Sequence, residues 1–118
     1  MESKELMEKV VTILDSKKAL DIKAIKVGDL TILADYFVIA TATSSTQVKM
    51  LIDEVDYQLG LLGIEPHKTE GYRSQNWIIL DYTDVVVHVF HTETREFYGL
   101  ERLWADGEQV DLSKLLTK

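Results

Sequence analysis

The sequence predicts an α/β or α+β fold in which helices pack on the faces of a mixed β-sheet. Three observations predict it. Residues 35–42, DYFVIATA, form a nearly continuous apolar run, which suits a strand covered on both faces. Residues 45–62 repeat apolar side chains at helical spacing. Residues 77–81 and 85–91 are strand-like runs separated by three residues, which is typical of a β-hairpin.

The first predicted elements are a helix and a short strand. Ser3 is a candidate N-cap for a helix in which Leu6, Val10 and Leu14 form one apolar stripe. The helix should end near residues 17–18, two lysines whose charge favours the helix C-terminus. A strand then fits residues 22–27, and the Gly-Asp pair that follows closes it.

The second helix follows the apolar run of residues 35–42. Ser44 and Gln47 match a capping box, in which each side chain bonds a free backbone N–H at the start of the helix. Gly60 and Gly63 should end it. Residues 64–76 form the most polar connection of the chain, with room for one short strand.

The last helix should follow the hairpin, over residues 93–104, with Phe97, Leu100 and Trp104 on one side. Gly99 inside it would cost roughly 1 kcal/mol relative to alanine, which indicates close packing or a bend there. The tail after residue 105 has room for a last short element. This order of elements gives a mixed sheet flanked by helices, but it does not give the order of the strands.

Length and composition set the class of protein. A chain of 118 residues, 46% hydrophobic with one proline, is expected to form a single domain over residues 1–118. It has no cysteine, so disulfides and thiolate metal sites are excluded. We found neither an apolar run long enough to cross a membrane nor a signal peptide, and we expect a soluble, cytoplasmic protein.

The charge of the chain is unevenly distributed. The net charge is −7, but residues 29–111 contain 15 acidic and five basic residues, a net of −10. Binding to nucleic acid requires clustered lysine and arginine, so we do not expect direct nucleic-acid binding. A basic protein is the more natural partner for this acidic middle segment.

The residue types that carry catalysis do not form a recognisable active site. His88 and His91 would point to opposite faces of a strand, with His88 half-buried and His91 and His67 in solvent, so a shared metal ion is not expected. Asp81 and Asp84 flank the hairpin turn, where aspartates bond the backbone.

Two other groups of residues could carry chemistry. Asp35 could approach Asp81 only if the directions of their strands allow it. Ser44 and Ser45 open a helix, where a weak anion site is conceivable, but neither GxxxxGK[ST] nor GxGxxG is present and capping explains them better. We therefore expect no catalytic residue, metal or cofactor.

The segment from Trp77 to Trp104 holds six of the ten aromatic residues, next to charged ones. Aromatic and arginine side chains of this kind anchor protein–protein interfaces, although any one of them could instead pack in the core. On an ideal helix, Arg95, Tyr98 and Arg102 form a stripe apart from Phe97. The candidate partner-binding residues are Glu70, Trp77, Arg95, Tyr98, Glu101 and Trp104.

Five motifs occur in an order and spacing that resemble one known family. They are DYFVIATATSS at residue 35, EG at residue 70, WIILDY at residue 77, DVVVHVF at residue 84 and RxFYxLExLW at residue 95. Together they closely resemble the ribosomal silencing factor family, also called Iojap or YbeB-like, from about residue 4 to the end. Ala42 and Thr83 stand where that family usually has glycine, which leaves the geometry of two loops open.

The resemblance implies a fold related to the nucleotidyltransferases but without their catalytic carboxylates. It implies a translational repressor that binds the fourteenth protein of the large ribosomal subunit and blocks joining of the small subunit when nutrients are scarce. It also implies that members can dimerise off the ribosome. The alternatives are a factor for assembly of the large subunit and, less favoured, a nucleotidyltransferase-like enzyme using Asp35, Asp81 and Asp84.

Overall fold

The computed structural model describes residues 2–28, 34–73, 76–99, 102 and 107–116, with the backbone alone at residues 96–98. Three helices and six strands lie within these ranges. In chain order they are α1 Ser3–Ser16, β1 Leu20–Lys26, β2 Tyr36–Ala42, α2 Ser45–Leu61, β3 Lys68–Glu70, β4 Trp77–Asp81, β5 Val85–His91, α3 Thr92–Tyr98 and β6 Glu108–Gln109.

The six strands form one mixed sheet in the order β3-β4-β5-β2-β1-β6. β2 and β5 are parallel, and every other neighbouring pair is antiparallel. All seven residues of β2 are buried, because neighbouring strands cover both of its edges and side chains cover both of its faces. The predicted mixed sheet and the buried strand at residues 35–42 are confirmed.

Helices α1 and α2 pack against one face of the sheet. Their buried side chains share a core with every second residue of the central strands, such as Val38, Val87 and Leu80. The helices run antiparallel, because Lys17 after α1 pairs with Glu54 near the middle of α2 (3.9 Å), while Glu5 near the start of α1 shares a groove with residues 61–62 at the end of α2. The opposite face carries a smaller apolar cluster that includes Ile25, Phe37, Ile39 and Phe90.

The ends of α2 follow from its sequence. The Ser44 hydroxyl accepts a hydrogen bond from the Gln47 backbone N–H (3.1 Å), as predicted. The other half of the capping box differs, because the Gln47 side-chain oxygen accepts from the backbone N–H (3.1 Å) and the hydroxyl (3.2 Å) of Thr43. At the C-terminus Gly63 adopts a left-handed conformation (φ 79°) and the N–H of Ile64 bonds the carbonyl of Leu59.

Two helix boundaries differ from the prediction. Ser3 lies within α1 and is not its cap, and the preceding residue, Glu2, makes no side-chain cap bond. Helix α1 does end at the two lysines, with Lys18 left-handed (φ 65°). Helix α3 covers Thr92–Tyr98 and is interrupted at Gly99, which turns left-handed (φ 58°) and whose N–H bonds the Arg95 carbonyl. Residue 102 is again helical, and the rest of the predicted range up to residue 104 lies outside the described residues.

The hairpin between β4 and β5 has the predicted three-residue loop. Asp81 provides the expected turn chemistry, since its carboxylate accepts from the N–H of Thr83 (2.8 Å), and Thr83 adopts φ 73°. Ala42, the other position where glycine was expected, is a buried strand residue paired with His91 and does not need glycine. Across the described ranges of the chain, we found no helix long and apolar enough to span a membrane.

Candidate protein-binding surface

One corner of the sheet carries exposed side chains on the face opposite α1 and α2. Strand alternation and register place every second residue of β3, β4 and β5 there, since Glu70 pairs with Ile79, Lys68 with Asp81, and Asp81 with Val86. Lys68 and Glu70 are exposed and the others half-buried. We call this the corner surface, made of Lys68, Glu70, Trp77, Ile79, Asp81 and Val86.

Trp77 is the largest side chain of the corner surface. Its ring stacks on Phe90, with the centroids 4.9 Å apart and the planes at 22°. Its indole N–H donates a hydrogen bond to Nδ1 of His88 (3.2 Å). Because the only polar group of the side chain is bonded inside the protein, the exposed part of the ring is apolar and held in one orientation. Such a preorganised aromatic suits a protein-binding anchor.

His88 lies beneath Trp77 and is buried (5% exposed), not half-buried as the sequence suggested. Burial lowers its pKa to about 4, against an opposing effect of the Asp81 carboxylate, so the imidazole is neutral at pH 7. Since Nδ1 accepts the Trp77 bond, the ring proton sits on Nε2, for which we found no hydrogen-bond partner within the described ranges. The Phe37 ring contacts the His88 ring edge-on, with the ring centroids 5.1 Å apart.

Glu70 ends β3 at the rim of the corner surface, and Gly71 then turns the chain sharply. Gly71 has φ 77°, and a Cβ atom there would stand 2.1 Å from the carbonyl oxygen of Trp77, so only glycine fits without rearrangement. The next residue points to the helical layer, where the Tyr72 hydroxyl donates to Asp53 of α2 (2.8 Å). That bond raises the pKa of Tyr72. Glu70 and Trp77 therefore lie on one face, fixed by one loop.

The structure corrects the position of Arg95, which we expected on an exposed stripe. Arg95 is buried (9% exposed), and its guanidinium donates to the carbonyl oxygen of Asp21 (2.7 Å) and to the hydroxyl of Thr41. The short helix α3 starts directly after β5, which brings Arg95 against the end of β2 and the irregular start of β1. The side chain connects three elements of the fold, which is not the position of a solvent-facing anchor.

The other candidates on the last helix are only partly within the described ranges. Glu101, Trp104 and the side chain of Tyr98 lie outside them. Arg102 is exposed and shares a cleft of about 760 Å³ with Arg95, so these two members of the predicted stripe do lie together. Asp21 and Glu93 also line the cleft, which makes its charge mixed.

Within the described ranges, the histidines and carboxylates do not come together as a metal site. His91 pairs with Ala42 on the opposite face from His88, as expected, and His67 is exposed. Asp35 and Asp84 meet through their backbones, since the Asp35 N–H donates to the Asp84 carbonyl (2.8 Å). Of the residues whose placement is described, no three acidic or histidine side chains could hold one ion.

The structure adds residues that the sequence reading missed. Ile79 and Val86 extend the apolar part of the corner surface, and His88 and Phe90 support Trp77 from below. Alternation along β4 could have placed Ile79 beside Trp77, because residues two apart in a strand share a face. The pairing of Trp77 with Phe90 had no such signal, since it depends on the register of the hairpin.

Comparison with known proteins gives a consistent result over the whole length. The model of the family described as "Ribosomal silencing factor during starvation" matches residues 1–118. The chain is 36% identical to the ribosomal silencing factor of Halalkalibacterium halodurans, over 99% of this chain and 100% of that one. It is 38% identical to the ribosomal silencing factor of Bacillus subtilis, over 95% of each.

A eukaryotic relative and a solved structure extend the comparison. The mouse protein named "Mitochondrial assembly of ribosomal large subunit protein 1" is 32% identical over 83% of this chain and 44% of its own length. A crystal structure of a Chromobacterium violaceum protein superposes with a TM-score of 0.87 at 33% identity, covering 96% of this chain and 93% of that one. The agreement in fold therefore matches the agreement in sequence.

Proposed function

This chain belongs to the ribosomal silencing factor family, and on that basis we propose that it is a translational repressor that binds the large ribosomal subunit and blocks joining of the small subunit. The observation that carries the proposal is the corner surface with Trp77 as its largest side chain. It offers an oriented aromatic, two half-buried aliphatic side chains and exposed charges at its rim. This is the composition of a protein-binding patch.

We propose that the corner surface binds the fourteenth protein of the large subunit. Two properties of the chain support a protein partner over ribosomal RNA. The corner surface holds the carboxylates of Glu70 and Asp81 against one lysine, Lys68, so it complements a basic surface. Contact with phosphates would require a basic patch instead, and residues 29–111 carry a net charge of −10.

The mechanism we propose is steric. The molecule measures 33 × 33 × 31 Å, so when it is held on a large-subunit surface that meets the small subunit it fills space that the joined ribosome needs. The protein then competes with the small subunit by occupancy, and the residues of the chain need only bind. Its effect on translation depends on its concentration and on its affinity for the large subunit.

A role in assembly of the large subunit is a second candidate, because the mouse relative is named for that process. The corner surface would serve both roles, since both require attachment to the large subunit. The two differ in timing. A repressor acts on finished subunits, whereas an assembly factor acts on precursors. Adding the purified protein to mature subunits distinguishes the two roles, because only a repressor then reduces the yield of joined ribosomes.

The experiment that tests the proposal is co-sedimentation with purified large subunits, combined with a subunit-joining assay. Trp77→Ala should lower affinity by about thirtyfold, since a tryptophan that anchors an interface contributes roughly 2 kcal/mol or more. Glu70→Lys should also weaken binding, and because Glu70 is exposed this variant leaves the core intact. Met50→Ala is the control, at an exposed apolar side chain on the helical layer, and should bind normally.

Two results would contradict the proposal at different levels. Normal co-sedimentation of both Trp77→Ala and Glu70→Lys would show that the corner surface is not the binding face. An unaltered protein that neither sediments with large subunits nor reduces joining would disprove the function itself. Thermal unfolding of each variant confirms that a loss of binding is not a loss of fold.

A further inference from the structure

A second surface lies on the helical layer, away from the corner surface. Tyr57, Leu61 and Leu62 near the C-terminal end of α2 are 63%, 69% and 53% exposed. Tyr57 and Leu61 are four residues apart in the helix, so they lie on one side of it. A scattered exposed apolar residue is ordinary in a folded protein, but three large ones at one helix end form a contiguous patch.

A groove runs beside this patch between the two antiparallel helices. It has a volume of about 560 Å³ and is lined by residues between 5 and 13 of α1 and by the end of α2, including Glu5, Glu8, Ile13, Leu61 and Leu62. Ile13 is almost fully buried and provides an apolar floor. Two parallel ridges of side chains with an apolar floor accept a third helix, whose apolar residues recur every three or four positions.

The charges around the groove indicate the charge of the partner that it binds. Glu5 and Glu8 line it, and among the lining residues that the structure describes the one base is Lys9. We propose that this groove binds a basic amphipathic helix of another protein.

A second copy of this chain is a poorer occupant. In a symmetric dimer through the groove, Glu5 and Glu8 of one copy would face the same carboxylates of the other, and like charges at an interface oppose association. A basic helix instead places its cations against these acids and its apolar side against Leu61 and Leu62.

The groove and the corner surface lie on opposite faces of the sheet, because α1 and α2 cover one face and Trp77 stands on the other. Both surfaces can therefore be occupied at once. The protein would then act as an adaptor that holds a basic helix beside whatever the corner surface binds. This inference does not depend on the proposed function, because it involves a separate surface.

The test uses a synthetic amphipathic peptide of 15 leucines and lysines with helical periodicity, titrated into isotope-labelled full-length protein and followed by NMR. An otherwise identical peptide with glutamate in place of lysine is the charge control. We expect saturable shifts confined to residues 5–13 of α1 and the last two turns of α2. The double variant Leu61→Ser with Leu62→Ser should weaken binding about tenfold or more.

Two further variants complete the test, one that removes the acidic charges of the groove and one that serves as a control elsewhere on the surface. Glu5→Gln with Glu8→Gln should weaken binding several-fold and reduce its dependence on salt. Leu20→Ser, at a leucine 44% exposed on β1, should leave binding unchanged. Equal binding of the glutamate peptide, shifts centred on the corner surface, or no effect of the serine double variant would overturn the proposal. So would a dimer of the protein alone, seen by analytical ultracentrifugation, that the serine double variant abolishes.

Discussion

The indole N–H of Trp77 donates a hydrogen bond to Nδ1 of His88, 3.2 Å away, on neighbouring antiparallel strands. The histidine is buried among Phe37, Phe90 and the indole itself, so the bond also fixes its tautomer. A surface residue proposed to bind a partner thus depends on a core residue that must stay neutral. Both the stability of the fold and the shape of the corner surface therefore depend on the Trp77–His88 pair.

The first prediction concerns pH. The pKa of His88 is about 4 in the folded protein and 6.5 in the unfolded chain, so between these values the unfolded chain takes up a proton that the folded protein does not. The neutral ring therefore gives full stability above pH 6.5, and stability falls as the pH drops towards 4. Between pH 7.5 and 4.5, the free energy of unfolding of the unaltered protein should therefore fall by about 2.5 kcal/mol more than that of a His88→Phe variant.

Urea unfolding across this pH range measures the difference. The carboxylates also titrate there, but they are the same in both proteins and largely cancel in the comparison. His67→Gln is the matched control, since His67 is exposed, and it should follow the unaltered protein at every pH. A His88→Phe variant with the same pH dependence as the unaltered protein would contradict a buried, neutral His88.

The second prediction concerns Arg95. Arg95→Met should lower the free energy of unfolding by about 2–3 kcal/mol, because it removes charged hydrogen bonds to the Asp21 carbonyl and the Thr41 hydroxyl. Arg102→Met should change stability by less than about 0.5 kcal/mol, since Arg102 lines the same cleft but is exposed. Equal effects of the two variants in thermal or urea unfolding would argue against the buried position.

The Arg95→Met variant also shows whether Arg95 has a structural role or a binding role. Below its unfolding temperature, Arg95→Met should still sediment with large subunits, because its side chain is buried inside the fold and is not part of the corner surface. A large loss of binding by a folded Arg95→Met would restore the sequence-based assignment of Arg95 to the partner-binding face.

The third prediction concerns Gly71. Gly71→Ala should cost about 3 kcal/mol or more, because the new Cβ would stand 2.1 Å from the Trp77 carbonyl oxygen and the backbone is left-handed. Gly63→Ala isolates the backbone contribution, since Gly63 is also left-handed (φ 79°) but a Cβ there meets nothing within 4 Å. It should cost about 1 kcal/mol. Similar costs at both glycines, measured by urea unfolding, would show that the loop moves away from Trp77 easily.

Local patterns predicted most of the elements, because each depends on residues close in sequence. The apolar run at residues 35–42 becomes β2, and the serine cap and the glycine pair limit α2 as expected. The strand order was not predictable, because the parallel pairing of β2 with β5 joins segments more than 40 residues apart. The interruption of the last helix at Gly99 was not predictable, because glycine suits either a helix interior or a left-handed end, and spacing does not distinguish them.

In the candidate site, too, local sequence predicted some features and tertiary contacts determined the others. Trp77 was identified by its residue type, and its neighbours on the corner surface follow from strand alternation. The burial of Arg95 depends on a carbonyl 74 residues away in sequence, at an irregular point in β1. The burial of His88 depends on the Trp77 and Phe37 rings, which come from two other strands. Such contacts arise from tertiary packing, which a single sequence does not specify locally.

The last prediction is a stabilising change at Thr83. This residue occupies the hairpin turn with φ 73°, and a β-branched side chain is strained there by about 1–2 kcal/mol. Thr83→Gly removes that strain and keeps the N–H that bonds the Asp81 carboxylate. The added freedom of glycine in the unfolded chain offsets part of the gain. The free energy of unfolding should therefore rise by about 0.5–1 kcal/mol.

Thr69→Gly provides the opposite case, because Thr69 lies in the extended strand β3 and glycine there gives up conformational entropy without relieving strain. It should destabilise the protein by about 0.5–1 kcal/mol in the same urea experiment. The two substitutions remove the same side chain, so a difference in sign between them comes from the backbone conformation alone. If Thr83→Gly lowered stability as Thr69→Gly does, the left-handed turn would not be strained, and the threonine would be contributing contacts that outweigh its conformation.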